Sequence, residues 1–484
     1  MTTPTLPARR TMPGGTTAAL GCIVLFLLPF AAAGVFATVQ ALRAARSADW
    51  GQAGFLTIFV LVFGGVGFGG LTAVALGWRR VAEAEEREAR HPDAPWLWRA
   101  DWASGLITDS SRTEMWTAWV FAALWNLVSG PSAVLAVRAA MHEGNRLALI
   151  ALLFPIVGVG LVVRAVRATL RYRRFGTSRF ALSTVPGVVG HALEGTVRTP
   201  AGLRPAEGFR VVLSCIQRET TGSGKNRSTT ERILWQDERQ TMGGGAGIPV
   251  AFAIPSDAAP TDPGRASSGV LWRLQLTGDV PGVDYVATFE VPVFRTPASG
   301  APLTDADRAV AAASLVPADY RQPAGSKIEV STTRRGTEIY FPPARNAGFA
   351  AGLTAFFGIW VGAIVLTIVL HAPIIFPIVF GAFGLLLAFF VVDAWLGVTR
   401  VTAGDGQVTV ASGWLTPRSE RSLRASDVAD VTTKIGSQAG TTAYYDLAIV
   451  TTAGKRVAAG GGVRDKREAE WLAGKIRSAL RPST

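Results

Sequence analysis

Cysteine, histidine and lysine are all scarce in this 484-residue chain, and each scarcity closes a route to chemistry. Of the two cysteines, Cys22 falls in an apolar run and Cys215 in what reads as a soluble insert. They are too few for a disulfide framework or a thiolate zinc cluster. The four histidines stand at 91, 142, 191 and 371, none with a second histidine or cysteine at metal-ligand spacing. Nucleophile elbows, zinc-protease helices and paired-cysteine redox motifs are missing as well. Gly222-Ser-Gly-Lys225 fails as a phosphate loop, because Glu219 stands where the first glycine belongs and Asn226 where a hydroxyl is needed. Asp237 and Glu238 are adjacent on an expected strand and so point to opposite faces. No catalytic residue, metal ligand or cofactor is assigned.

Charge is also sparse, 17% of residues, and its distribution is the informative part. Six mostly apolar stretches run from Ala18 to Val39, Phe55 to Trp78, Met115 to Val137, Leu147 to Val163, Phe349 to Leu370 and Ile374 to Leu396. At about 17–25 residues, each can cross ~30 Å of hydrocarbon. Lysine occurs only at 225, 327, 434, 455, 466 and 475, so the net charge of +13 is an arginine excess. Arg9, Arg10, Arg79, Arg80, Arg87, Arg90, Arg99 and Arg112 fall on one side of the expected spans, with the cluster from Arg164 to Arg174. The other side carries only Arg43, Arg46, Arg138 and Arg146, plus His371. The positive-inside rule then predicts a bacterial inner (plasma) membrane protein with both termini and both soluble domains in the cytosol. It also accounts for the basic excess without a nucleic-acid partner.

The boundaries follow from that segregation. Residues 1–15 are expected to be a disordered N-terminus, and 16–170 a four-helix transmembrane region with a Trp-rich cytosolic loop at 79–114. Residues 175–345 form a soluble domain, 346–398 two further membrane helices, and 399–484 a soluble tail. Asp49 to Gln52 and Ser111 to Glu114 fit capping boxes. Glycines at 64, 65, 67, 69 and 70 suit close helix packing. Between about 180 and 341 the pattern turns to alternation, as in Phe209, Val211, Leu213 and Cys215, or Tyr285, Ala287, Phe289, Val291 and Val293. Short strands separated by turn residues predict an antiparallel β-sandwich, with Pro249 and Pro292 at edges or bulges. A helix follows the Thr304 cap, and a hairpin turns around Arg334-Arg335-Gly336. The tail alternates again and ends in a helix with Leu472, Ile476, Ala479 and Leu480 on one face. The expected fold is therefore an α plus β membrane protein: six transmembrane helices, a sandwich inserted between the fourth and fifth, and a small C-terminal sheet-plus-helix domain.

Ile248-Pro-Val-Ala-Phe-Ala-Ile-Pro255, Trp272-Arg-Leu, Pro281-Gly-Val-Asp-Tyr and Phe289-Glu-Val-Pro-Val293 resemble arrestin-like or immunoglobulin-like sandwiches. The strand order and final helix of the tail resemble bacterial pleckstrin-homology-like domains. With Pro95-Trp-Leu-Trp-Arg-Ala-Asp-Trp102, the whole arrangement is similar to an uncharacterised bacterial family of multi-pass membrane proteins, a domain of unknown function. These resemblances imply architecture and carry no catalytic residue.

Candidate functional residues are few. Trp96, Trp98 and Trp102 suit the membrane interface, where indole buries its ring and keeps its N–H wet. Arg171, Arg173 and Arg174 would attract anionic lipid headgroups. Within the spans, Asn126 and Asp393 are the polar residues that stand out, Asn126 as an interhelical hydrogen-bonding group and Asp393 near a cytosolic helix end. The expected function is a non-enzymatic scaffold or binding protein of the bilayer whose β-domains take a protein partner or lipid headgroups. The alternative is a small transporter or channel regulated by those domains. An enzyme would need His91, Asp93, Asp101 and Glu114 gathered at one pocket.

Overall fold

Helical and alternating periodicities separate in space as they do in sequence in the computed structural model. It describes residues 14–142, 152–199, 203, 205, 208–221, 228–242, 247–262, 268–314, 320–323, 325–369, 373–440 and 442–480. Most of the expected disordered N-terminus, the Gly222 to Lys225 tip and His371 lie outside the described residues. The chain divides into two units, Met1–Ala100 and Asp101–Thr484.

The first unit is helical: α1 (Gly14–Arg46), α2 (Trp50–Phe59), a π-helical turn (Val60–Gly64) and α3 (Gly65–Arg90). Asp49 accepts the Gln52 N–H at 3.0 Å and so caps α2 as expected. Glycine lets α1 and α3 touch backbone to backbone. A Cβ on Gly67 would stand 2.3 Å from the Ala31 nitrogen, and one on Gly34 2.6 Å from Gly64 Cα. Gly65 and Gly69 face open space, so only part of the stripe is a packing face. The charged end of α3 carries Glu83–Arg87 and Glu86–Arg90 pairs one turn apart.

In the second unit a short α4 (Ala100–Ala103) leads to β1 (Leu106–Thr108) and the helical hairpin α5 (Ser111–His142) and α6 (Leu153–Phe175). The cap of α5 sits one residue earlier than its capping box predicts: the Ser110 hydroxyl donates to Glu114, while Ser111 bonds Asp109. Then come β2 (Arg179–Leu182), β3 (Gly187–Val188), β4 (Ala192–Arg198), β5 (Phe209–Thr221), β6 (Ser228–Thr241) and β7 (Ile248–Ala253). After β8 (Gly269–Gly278), β9 (Tyr285–Val291) and β10 (Val293–Phe294) the chain forms α7 (Asp305–Ser314). Two antiparallel four-stranded sheets result, in the orders β1-β2-β4-β7 and β6-β5-β8-β9. Phe180 of one meets Phe289 of the other, ring centres 5.9 Å apart. Pro249 lies on the edge strand β7, and Pro292 in the break between β9 and β10, where no ladder donor is needed.

The hairpin β11 (Glu329–Thr333) and β12 (Gly336–Phe341) precedes the helices α8 (Ala347–Val369) and α9 (Ile375–Leu396). Behind them come β13 (Gly397–Gly404), β14 (Gln407–Trp414), β15 (Ser419–Arg424), β16 (Val428–Ala439), β17 (Thr442–Thr451), β18 (Arg456–Ala458) and α10 (Lys466–Leu480). Strands β12 and β13 are antiparallel neighbours, with Phe341 opposite Thr399 and Thr337 opposite Ala403. The helical hairpin α8–α9 is thus inserted between two paired strands of one five-stranded sheet, β11-β12-β13-β14-β15. The boundary expected near 345 falls inside this sheet, because β11 and β12 belong with the tail. Nor are the two soluble parts separate. Ile216, Ile233 and Leu271 share a single core with Phe341, Val401, Leu447 and Leu472.

Three described helices are long and apolar enough to cross a membrane: Ile23–Arg46, Ala347–Val369 and Pro377–Leu396, mean hydropathy 2.1–2.2. The other three expected spans are helical where described, and no such window lies within their described residues. The second is broken by the π-turn, leaving Gly65–Trp78 as its apolar helix. The third lies in α5, whose side chains are described only in part. The fourth begins outside the described residues, and α6 carries Arg164 and Arg167.

Candidate functional site

The predicted site residues are distributed rather than gathered. Trp102 is 3% exposed, its indole N–H donating to the Glu290 carbonyl at 3.0 Å and its ring edge-on to Phe294. It is a core residue of the β-structure. Trp96 and Trp98 are half-buried in the first unit, and the Trp98 N–H bonds the His91 carbonyl. At the end of α6, Arg173 and Arg174 are exposed. Arg174 donates to the Pro281 carbonyl and lies over the Phe175 ring. Arg171 is half-buried, with Nε lacking a hydrogen-bond partner among the described residues.

Asn126 lies at the α5–α6 contact and donates to the carbonyls of Ala122 (2.8 Å) and Gly158 (3.1 Å). Gly158 is glycine for that reason: a Cβ there would stand 2.3 Å from the Asn126 oxygen. Tryptophans lock both helical hairpins, through Trp125 to the Phe154 carbonyl in one and Trp360 to the Phe380 carbonyl in the other. Asp393, exposed on the last turns of α9, accepts the Trp414 indole N–H at 3.1 Å.

The most built cleft lies between two sheet edges, β6 and β16, and has a volume of about 490 Å3. Each edge is interrupted by an extra residue opposite this cleft: Leu234 in β6 and Gly436 in β16. Such bulges end pairing and re-aim side chains. Leu234 is consequently exposed, beside half-buried Trp235 and Ile435. At one end Gln438 stands in for a missing strand, its oxygen accepting the Ile233 N–H (3.0 Å) and its nitrogen donating to the Glu231 carbonyl (3.1 Å). At the other, Lys466 lies 3.4 Å from Asp237, 3.8 Å from Glu470 and over the Trp235 ring. Arg232 and Lys434 are exposed on its walls. Burial raises the Tyr445 hydroxyl well above the usual phenol range, and the Cys215 thiol to about 12, so neither is a nucleophile at neutral pH.

A second cleft of about 700 Å3 lies on the five-stranded sheet, where Arg334, Arg335 and Arg400 alternate with Glu338 and Glu420. Arg400 sits 3.4 Å from Glu338.

Sequence reading missed one titratable pair. His191 Nδ1 is 2.9 Å from Asp307, and its Nε2 is 2.8 Å from the Ala298 carbonyl. Asp307 also accepts from the Ala192 N–H and, with Thr304, forms the reciprocal cap of α7. The Asp307 hydrogen bond raises the His191 pKa. Against the opposing effect of burial, hydrogen bonds from Ala192, His191 and Thr304 hold the Asp307 carboxyl well below the usual carboxylate range. With both ring nitrogens engaged, this pair fastens α7 to β4 and offers no base to a substrate. Among the described residues, no three His, Cys, Asp or Glu side chains are grouped to hold a metal ion. His91, Asp93, Asp101 and Glu114 line neither cleft.

No protein-family model matches the chain, and no curated protein matches it. Among solved structures, Spo0M, a sporulation control protein from Bacillus subtilis, aligns over 51% of this chain and 88% of its own. That alignment is 11% identical with a TM-score of 0.18, a level of likeness that assigns neither fold nor function.

Proposed function

We propose that this is a multi-pass inner-membrane protein whose cytosolic β-domains form a non-enzymatic binding platform, with an extended segment of a protein partner seated between β6 and β16. Six helices cross the bilayer, the two four-stranded sheets make an arrestin- or immunoglobulin-like sandwich, and the remaining sheets with α10 make a pleckstrin-homology-like unit. Both soluble parts lie on the arginine-rich face, where Arg173 and Arg174 meet anionic headgroups. The resemblance to the uncharacterised multi-pass family is part of the same reading.

One observation carries the partner site: the Gln438 amide occupies a strand's hydrogen-bonding place between two bulged edges. Extended peptides add to sheet edges through main-chain bonds and gain specificity from side-chain pockets. Leu234, Trp235 and Ile435 offer an apolar pocket, and Arg232 and Lys434 favour an acidic segment. The transport alternative gains nothing from Asn126, whose amide is engaged with Gly158, or from Asp393, which holds Trp414. A photo-crosslinking residue at Leu234 should give one discrete adduct in native membranes. Arg232→Glu with Lys434→Glu should abolish it. An adduct insensitive to that charge reversal, or none, contradicts the site.

A further inference from the structure

Strand β14 runs towards the helices and ends level with the first residue after α9, since Trp414 pairs with Gly397. The chain then continues past that level. The Leu415 N–H bonds the Leu396 carbonyl at 2.8 Å, and Arg418 returns to bond Ser412 at 3.0 Å. The tip therefore lies alongside the end of α9. Its Trp414 ring packs on Phe389 with centres 5.6 Å apart, while its N–H holds Asp393 one turn further on. At 1.5 Å rise per residue, Phe389 is about 10 Å inside the helix end.

The residues at this tip are the wrong ones for water. Leu415 is 61% exposed and Trp414 43%. Leu415 also has φ of +60°, a left-handed conformation that favours glycine, so a large apolar side chain is held out at a strained position. Exposed Arg418 follows it. An indole with its N–H satisfied, an aliphatic side chain and a flanking arginine form the pattern of an interfacial anchor.

We infer that the β14–β15 tip, Trp414 and Leu415, is a lipid-binding element that inserts into the interfacial layer of the bilayer beside α9. This rests on the reading of α9 as a membrane span. The tip and α9 then form two attachments of the five-stranded sheet to the membrane, one covalent and one by partition. Together they fix the tilt of the β-structure against the lipid surface.

The test uses the full chain in nanodiscs with Cys22→Ala, retaining Cys215, which is buried at 1% exposure. Nitroxide labels are placed singly by Leu415→Cys, by Leu385→Cys midway along α9, and by Asp405→Cys in the β13–β14 turn, and depth is read from collision with oxygen against a water-soluble nickel chelate. The chain without an added cysteine gives the background. The expected order is Leu385 deepest, Leu415 shifted clearly towards oxygen accessibility, and Asp405 fully aqueous. If Leu385 is lipid-buried while Leu415 matches Asp405, the tip inference alone is overturned. If Leu385 is itself aqueous, the membrane reading and the tip inference fall together.

Discussion

The hairpin α8–α9 and the sheet into which it is inserted use the same residue types in opposite ways. In the sheet and its surroundings, Phe341, Val401, Leu447 and Ile449 are each 0% exposed. In the helices, Ile359 is 73% exposed, Leu385 76% and Ile378 60%. None of the most apolar stretch of α8 is buried, and 11% of that of α9. A region that buries its large apolar side chains this fully in its core is built for water. An adjoining region that displays them over two helices fits the proposed membrane spans, because apolar patches of such extent are rare on soluble surfaces. The two meet with little slack: half-buried Arg345, at the head of α8, donates to the carbonyls of Gly397 (3.2 Å) and Gly461 (2.9 Å). Asn346 bonds the Gly462 carbonyl at 2.8 Å. Movement of the hairpin must therefore be felt by the sheet.

The sharpest way to break this contrast is a pair of truncations. Trp272→Ala removes a fully buried indole from the β-core and should lower unfolding stability in mild detergent by about 3–5 kcal/mol. Ile359→Ala, on the displayed face of α8, should change it by less than about 0.5 kcal/mol. Equal losses in denaturant titrations would erase the distinction. Gly158→Ala comes next. Its methyl group drives against Asn126, so an overpacking loss of about 1–3 kcal/mol is expected in the α5–α6 hairpin, partly relieved by Asn126→Ala in the same chain. Gln438→Ala leaves the Ile233 N–H without its partner and should cost about 1 kcal/mol while loosening protection of that amide in hydrogen exchange.

The smallest effect is a pH dependence confined to the β-structure. Because the folded pKa of His191 is raised, its contribution is fully present below the ordinary histidine value of about 6.5 and is lost as pH rises through the folded value. The melting temperature should fall between pH 6 and pH 8, and His191→Gln should flatten that slope. A slope unchanged by the substitution would place the titration elsewhere.

What the sequence revealed and what it concealed divide along range of interaction. Local signals were legible: the Asp49 cap, the Thr304 cap, and the alternating rows that became β5 and β9. The pairing of β12 with β13 was not, because the strands are separated by the whole α8–α9 hairpin and no local pattern encodes their closure. Trp102 shares its sequence neighbourhood with Trp96 and Trp98, yet it is buried because the three residues of β1 draw its turn into the first sheet. Leu234 and Gly436 look like ordinary strand positions until register with β5 and β17 exposes each as an extra residue. For the His191–Asp307 pair, the only sequence signal was the cap at Thr304, which marks Asp307 but not its partner.

The account is tested most directly by membrane-impermeant thiol labelling of single cysteines in intact cells. Pro373→Cys lies at the turn between α8 and α9, and Asp405→Cys at the far end of the sheet those helices join. The account predicts labelling of the turn from outside intact cells, and of position 405 only after the inner membrane is permeabilised. Labelling of position 405 in intact cells, or equal protection of both positions, would contradict it.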